Sequence, residues 1–335
     1  MYIPVAGKGK PLDAICLGRA GMDLYAADDN TDFAKVATFR KSVGGSPANI
    51  AVGMARLGAR VGIVSKLSED PVGRFVDSFL RSENVDTAGV SFDDSGSRTS
   101  LALTEMRPDD CSVVIYRNNA ADLLLSESDI DADYINSARL LIVSGTALCL
   151  EPSRSAALRA IDIAAASGVE IVIDLDYRAY TWASLEEAAD VYRRASARAS
   201  MLFGNIEEFE VLCMQDGKNS VGSDPAAIAR YCISAGSGAV FVKGGSAGST
   251  AFLPSGDADE LQAFEQTAFK VQARKPFGAG DAYAAAICTA LCREQSAPQA
   301  LRRGAAAAAI VVAGDCCCES APVESELQSF LDQHS

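Results

Sequence analysis

One histidine serves the whole 335-residue chain, and it is the penultimate residue, His334. Chain ends usually fray, so no imidazole is expected in a site. That excludes Ser-His-Asp hydrolases, Cys-His proteases and most zinc hydrolases. Long hydrophobic runs are missing too. No uncharged apolar stretch reaches the roughly 18 residues of a transmembrane helix. The opening MYIPVAGKGKPLD lacks the apolar segment of a secretory signal, and a cytoplasmic location is expected. Positive charge is scarce: 30 Lys and Arg stand against 44 Asp and Glu, a net charge of −14. Such a field repels nucleic acid and anionic membranes, and neither is an expected partner. It also repels nucleotide phosphates at long range, so any phosphate site must be local and built from backbone dipoles or magnesium. Both common glycine signatures of nucleotide binding, G-x-x-x-x-G-K-[ST] and G-x-G-x-x-G, are absent.

Cysteine is plentiful, with ten residues. Without a secretion signal, and mostly inside apolar stretches (Cys16, Cys149, Cys213, Cys232, Cys288, Cys292), they read as free buried thiols. The triplet Cys316-Cys317-Cys318 lacks the spaced pairs of a zinc site, and the sequence gives it no role.

With 49% hydrophobic and 22% charged residues, the chain has material for a sizeable core. Apolar β-rich runs (Ala14–Gly18, Val61–Lys66, Leu140–Ser144, Glu170–Asp174, Met201–Gly204, Ala239–Lys243) alternate with amphipathic or alanine-rich helical runs. The helical runs include Pro47–Leu57, Pro71–Ser82, Pro152–Ser167, Leu185–Ala197, Ile206–Met214, Pro225–Ala235, Gly280–Arg293 and Pro298–Val312. This alternation predicts an α/β fold with a mostly parallel sheet covered on both faces. Two stretches break the rhythm. Ala26–Val43 is polar and irregular, and Arg98–Arg117 reads as a hairpin around Arg107-Pro108-Asp109-Asp110. Together they are expected to form a small projecting sheet.

Four segments have the makings of a site. In Gly278-Ala279-Gly280-Asp281, a glycine turn opens a helix of small residues. Unpaired amides and the helix dipole there make an anion site, and Asp281 at its mouth can take a proton from an attacking hydroxyl. The plainer reading is a tight turn with a capping aspartate. In Gly44-Gly45-Ser46-Pro47-Ala48-Asn49, glycines allow close ligand approach and Asn49 offers a donor and an acceptor; an ordinary loop-to-helix junction reads equally. Asn205 and Glu208 stand three apart after a strand, suited to ordering magnesium-bound water or to forming a capping box. Lys243-Gly244-Gly245-Ser246-Ala247-Gly248 is a nucleotide contact or a plain hairpin turn.

The order and spacing of these segments resemble the PfkB, or ribokinase-like, family of carbohydrate kinases at both of its signature regions. The resemblance spans essentially the whole chain. It implies a ribokinase-like three-layer sandwich over residues 12–332, a lid from about 24–43 and 97–118, and an N-terminal tail of 1–11. It implies an ATP-dependent kinase with Asp281 as catalytic base and Gly278, Ala279 and Gly280 as the anion hole. ATP would lie over Lys243, Gly245, Gly248 and Asn205, with Mg2+ organised through water by Asn205 and Glu208. A homodimer through the lid sheets is the family's common arrangement. In one stretch the chain departs: many members carry Asp-Thr-Thr before Gly-Ala-Gly-Asp, whereas this chain has Lys275-Pro276-Phe277. That leaves open the monovalent-cation site associated with the stretch.

Two arginines narrow the substrate. Arg178, in Asp174-Leu175-Asp176-Tyr177-Arg178, follows a buried strand, and Arg117 leaves the small sheet. Two guanidinium groups aimed at one pocket suit a carboxylate; the alternative is a pair of surface arginines. Both runs resemble those of the family's sugar-acid kinases, which implies a keto-deoxy sugar acid as substrate. Asp23, Gly45 and Asn49 would then hold its hydroxyls, and Arg117 and Arg178 its acid end. A neutral-sugar kinase and a non-catalytic sensor are the alternatives.

Overall fold

A computed structural model describes residues 1–107, 111–219, 221–255 and 257–334, with backbone only at 257–259. Among these residues fifteen strands follow one another in chain order: β1 Leu12–Leu17, β2 Gly21–Asp29, β3 Phe39–Gly44, β4 Val61–Ser68, β5 Val85–Asp93, β6 Leu101–Met106, β7 Val113–Tyr116, β8 Ala138–Ser144, β9 Glu170–Asp174, β10 Met201–Asn205, β11 Met214–Gln215, β12 Lys218–Asn219, β13 Ala239–Lys243, β14 Ser249–Ser255 and β15 Asp257–Gln266. Nine of them form the main sheet in the order β15-β14-β13-β10-β9-β8-β1-β4-β5. The run from β13 to β5 is parallel, and β14 and β15 add an antiparallel edge. The mostly parallel sheet expected from the sequence is present. The antiparallel edge was not foreseen, because the polar face of β15 hides its alternation.

Alternation along each parallel strand splits the core in two. Ile15 and Leu17 of β1 join a cluster with Leu141, Val143, Ile171 and Ile173 on one face. Ala14 and Cys16 join Leu140, Ile142, Val172 and Phe203 on the other. Successive side chains of a strand point to opposite faces, so both faces need helical cover, and the result is a three-layer sandwich.

Strand β1 lies where the chain turns one way to β4 and β5 and the other way to β8, β9, β10 and β13. In open α/β sheets ligands bind beyond the carboxyl ends of the strands at such a switch point. Arg19 follows β1, Thr146 follows β8, Asp176 and Arg178 follow β9, Asn205 ends β10 and Lys243 ends β13. All are delivered to one edge of the sheet.

A second sheet, β3-β2-β6-β7, stands over that edge. β6 and β7 pair antiparallel, as a hairpin requires, and the expected turn at Pro108–Asp110 lies outside the described residues. The small sheet is fastened to the segment that follows helix Ala297–Ala313. Arg40 pairs with Asp315, the Ser42 hydroxyl donates to Glu319, and the Tyr25 hydroxyl donates to Cys317 Sγ at 2.9 Å. The first residues are packed as well: Ile3 and Val5 are buried, and Arg139 donates to the carbonyls of Val5 and Ala6.

Two helices carry the glycine-rich segments. The Asn49 helix, Ser46–Arg56, begins with Pro47 in its first turn, where a missing N–H costs nothing. The Asp281 helix, Ala279–Cys292, is buried along almost its whole length. Small residues let the two backbones meet: a Cβ added at Gly53 would lie 2.9 Å from Ala285 Cβ. Tyr283 sets the second helix on the sheet by packing edge-on to Phe203, which stacks on Phe241 with centroids 4.4 Å apart. Gly53→Val forces the helices apart and is expected to cost about 1–3 kcal/mol, the range for overpacking a close-packed core. Chemical denaturation of the variant measures that loss, and an unchanged midpoint would show that the contact yields freely.

Candidate active site

The C-terminal edge of the main sheet and the underside of the small sheet enclose one cavity. Asp23 and Tyr25 of β2, Ala102 and Thr104 of β6, and Val113 and Ile115 of β7 form its roof. The period of two that brings these pairs downward also carries Arg117, two residues past Ile115, into the cavity. Arg19, Gly45, Asn49, Asp176, Arg178, Gly278 and Asp281 close the floor and sides. Seven of the residues singled out from the sequence therefore meet in one place: Asp23, Gly45, Asn49, Arg117, Arg178, Gly278 and Asp281.

At the centre, Asn49 Nδ2 donates to Asp281 Oδ2 at 2.7 Å. The other carboxylate oxygen has no hydrogen-bond partner among the described residues. Gly278 precedes the Asp281 helix in a left-handed conformation, φ 79°. A side chain there would be strained and would strike Cys317 Sγ, 2.6 Å from an added Cβ. The first amides of this helix lack intrahelical acceptors by geometry, so Gly278, Ala279 and Gly280 present donors beside the carboxylate. Gly45, φ 103°, brings the Asn49 helix against the Arg19 carbonyl, 2.3 Å from an added Cβ.

The cysteine triplet turns out to be part of this arrangement. Cys318 Sγ donates to Asn49 Oδ1 at 3.0 Å, which leaves Asn49 Nδ2 for Asp281. Cys317 lines the cavity under Tyr25. Burial pushes the Cys317 thiol up to about 12 and that of Cys318 well above its ordinary value, so both stay protonated. Three adjacent cysteines carry no spacing signal, and only the fold gives them this role.

Both arginines reach the cavity, each with a carboxylate of its own. Arg117 is buried, its side chain 9% exposed, with Nε and Nη2 on Asp122 Oδ2 at 2.8 and 2.5 Å and Nη2 also on the Thr146 carbonyl. Arg178 is 47% exposed and pairs with Asp176 through Nη2 at 2.7 Å. It keeps more free N–H groups than Arg117 does. Arg19 is a third guanidinium, bonded to Ser100 Oγ and to Asp23 Oδ1 at 3.3 Å. Sequence reasoning passed over Arg19 and Asp176. The run that contains Asp176 was noticed, but nothing local shows which side chains turn inward.

Charge crowding shapes the titration here. Burial, with repulsion from Asp281 and Glu208, lifts Asp176 to about 6 despite the Arg178 guanidinium. Burial also raises Asp23 against the pull of Arg19.

A second cluster lies on the far side of Gly280. Lys243 Nζ sits 3.5 Å from where a Gly280 Cβ would be. It bonds Asp174 Oδ1 at 2.8 Å and stands 3.7 Å from Glu208 Oε2. Burial raises Asp174, while the Asp174 and Glu208 carboxylates raise Lys243 further against its own burial. The lysine holds its proton the more firmly, and the contact is an ion pair. Asn205 and Glu208 form a reciprocal capping box, with Asn205 N–H donating to Glu208 Oε2 and Glu208 N–H to Asn205 Oδ1. Gly245 and Gly248 bound the short turn between β13 and β14, a hairpin with Gly245 facing solvent. Lys243, Asn205, Glu208, Gly245 and Gly248 thus stand apart from the cavity, across the Gly278–Gly280 turn. Among the described residues no group of three or more His, Cys, Asp or Glu is arranged to hold a metal, and no helix is long and apolar enough to cross a membrane.

A carboxylate held at the mouth of an amide-lined helix start, beneath a small sheet on an α/β sandwich, can take a proton from a hydroxyl beside an anion-binding turn. The model of the pfkB family of carbohydrate kinases matches residues 12–324, and the chain belongs to that family. It is 41% identical to the 5-dehydro-2-deoxygluconokinase of Shouchella clausii (strain KSM-K16), covering 97% of both chains. It is 42% identical to the enzyme of the same name from Geobacillus kaustophilus (strain HTA426), covering 97% of this chain and 95% of that one. Among solved structures it resembles a fructokinase double mutant from Vibrio cholerae O395 bound to fructose, ADP and potassium ion. That match has a TM-score of 0.80 and 25% identity, covering 97% of this chain and 100% of that one.

Asp176→Asn tests the charge crowding. A carboxyl at about 6 in the folded chain, against an ordinary 3.8, binds its proton more tightly folded than unfolded. Folded stability therefore falls as pH rises from about 4 to about 6, and the asparagine variant escapes that loss. Its thermal midpoint relative to the parent is expected to rise between pH 5 and pH 6.5 and then level to pH 8. A difference that does not change with pH would show that Asp176 does not titrate in this range.

Proposed function

We propose that this chain transfers the γ-phosphate of ATP to the C6 hydroxyl of 5-dehydro-2-deoxygluconate, a reaction of myo-inositol catabolism. The observation that carries this reading is Asp281, oriented by Asn49 at the anion-binding turn and facing a cavity that holds Arg19, Arg117 and Arg178. The names of the relatives at about 40% identity point to the same substrate.

The substrate enters between the two sheets, with its primary hydroxyl toward the free oxygen of Asp281. Asp281 accepts the hydroxyl proton as O6 forms its bond to the γ-phosphorus and the bond to the β-bridging oxygen breaks, releasing ADP. The amides of the Gly278–Gly280 turn receive the charge that spreads over the transferred oxygens. Asp23, Gly45 and Asn49 stand where they can bind the other hydroxyls. The substrate carboxylate reaches Arg178, the more exposed of the two arginines, with Arg117 behind it.

ATP lies across the turn on the side of Lys243, Gly245, Gly248 and Asn205. The absence of a protein cage among the described residues fits Mg2+, which keeps most of its waters and binds chiefly through substrate phosphates. Asn205 and Glu208 would meet it through water, and its charge would neutralise the phosphate oxygens. The small sheet excludes water, which protects ATP from hydrolysis.

ADP release with MgATP against 5-dehydro-2-deoxygluconate, 2-dehydro-3-deoxygluconate, fructose, ribose and adenosine tests the proposal. Turnover is expected on the first acid above the others, and Asp281→Asn is expected to lower it about 10²–10⁴-fold, the range for a lost general base. Preference for a neutral sugar would overturn the acid reading. Near-normal turnover by the asparagine variant would overturn the assignment of the base.

A further inference from the structure

Lys275 is buried with 0% exposure. Its ammonium donates to two backbone carbonyls, Val311 at 2.9 Å and Phe277 at 3.1 Å. Among the described residues no carboxylate pairs with it. Taking a cation out of water costs several kcal/mol even after relaxation. An apolar side chain of the same length would fill the space without that cost, so the charge itself needs an explanation.

The two carbonyls supply one. Val311 lies in the last turn of helix Ala297–Ala313, where the helix dipole is negative and a cation is favoured. Phe277 is the residue before Gly278. Its carbonyl belongs to the same peptide unit as the Gly278 N–H, and that peptide is trans, the one cis bond among the described residues being Glu151-Pro152. In a trans peptide the C=O and N–H point in opposite directions. An ammonium holding the carbonyl on one side therefore fixes the N–H on the other and polarises it, which makes it a stronger donor. The backbone around Lys275 is held in place as well: Arg274 N–H and Lys275 N–H both donate to the Val312 carbonyl.

We infer that Lys275 is an internal counter-cation for the anion-binding turn, a positioning residue whose fixed charge does for Gly278–Gly280 what a bound monovalent cation would do. Turnover then needs no added monovalent cation. Rate is lost when the charge is removed, and is restored when a small cation fills the space. This inference rests on the kinase reading proposed above.

The test compares the parent chain with Lys275→Met, which keeps the bulk without the charge, and Lys275→Ala, which opens a space. Each is assayed at constant ionic strength in sodium, potassium, ammonium, methylammonium and tetramethylammonium chloride. The parent is expected to vary less than about twofold among the salts. Lys275→Met is expected to lose about 10²-fold in kcat, the scale for one weakened donor in an oxyanion site, with a much smaller change in either KM. Lys275→Ala is expected to recover about tenfold or more in ammonium, methylammonium or potassium, but not in tetramethylammonium, whose methyl groups cannot donate to carbonyls. A parent strongly activated by potassium would overturn the inference. So would Lys275→Met at parental kcat, or Lys275→Ala indifferent to every small cation.

Failure of the substrate reading looks different. If the parent turns over another sugar, the same variants are compared on that sugar. If it turns over none, calorimetric binding of ADP with orthovanadate, a mimic of the transferring phosphoryl group, replaces kcat. Lys275→Met is then expected to weaken the vanadate complex about tenfold or more while binding ADP alone as the parent does. Equal affinities for the vanadate complex would overturn the inference.

Discussion

The 2.7 Å bond from Asn49 to Asp281 joins residues 232 positions apart, and the site depends on the packing that makes this distance possible. Two helices from opposite ends of the chain lie side by side because Gly53 and Ala285 leave no bulk between them. The sheet fixes one of these helices through Tyr283 on Phe203. The segment of Cys316–Cys318 fixes the other, through Cys318 on Asn49. Burial of small side chains sets the geometry, and the hydrogen bonds then select one rotamer for each polar group.

Charge in the cavity is nearly balanced before any ligand arrives. Arg19, Arg117 and Arg178 face Asp23, Asp122 and Asp176 across short contacts. On the other side of the turn Lys243 faces Asp174 and Glu208. Buried ions need partners, and in a chain of net charge −14 carboxylates are the available ones. An anionic substrate must therefore displace or neutralise carboxylates already in place. Asp176, raised to about 6 by burial, is the one paired with the more exposed arginine, Arg178. Under the proposed reading, specificity for an acid depends on which arginine keeps free donors, and Arg178, the more exposed, keeps more of them than Arg117.

Much of this arrangement was legible in the chain. Gly278-Ala279-Gly280-Asp281 and Gly45-Ser46-Pro47-Ala48-Asn49 mark helix starts by local rules, because glycine, proline and a short polar residue each have one favoured place there. The Asn205–Glu208 spacing announced the capping box that the structure contains. Alternating apolar runs announced parallel strands, most within two residues of their bounds. Other features were silent. The β15 edge, the inward turn of Arg19 and Asp176, and the purpose of Cys316–Cys318 and Lys275 depend on neighbours far away in sequence.

The sequence by itself determined the elements, their order, the family and the residues that open the two functional helices, since those follow from backbone preferences and spacing over a few positions. Only the tertiary structure decided which side chains share a cavity, which charges cancel, and which thiol and which ammonium pack around the Gly278–Gly280 turn. Those outcomes depend on desolvation and on distances across the sheet, and neither has a local signature. A buried lysine reads like any other lysine until the carbonyls around it are known.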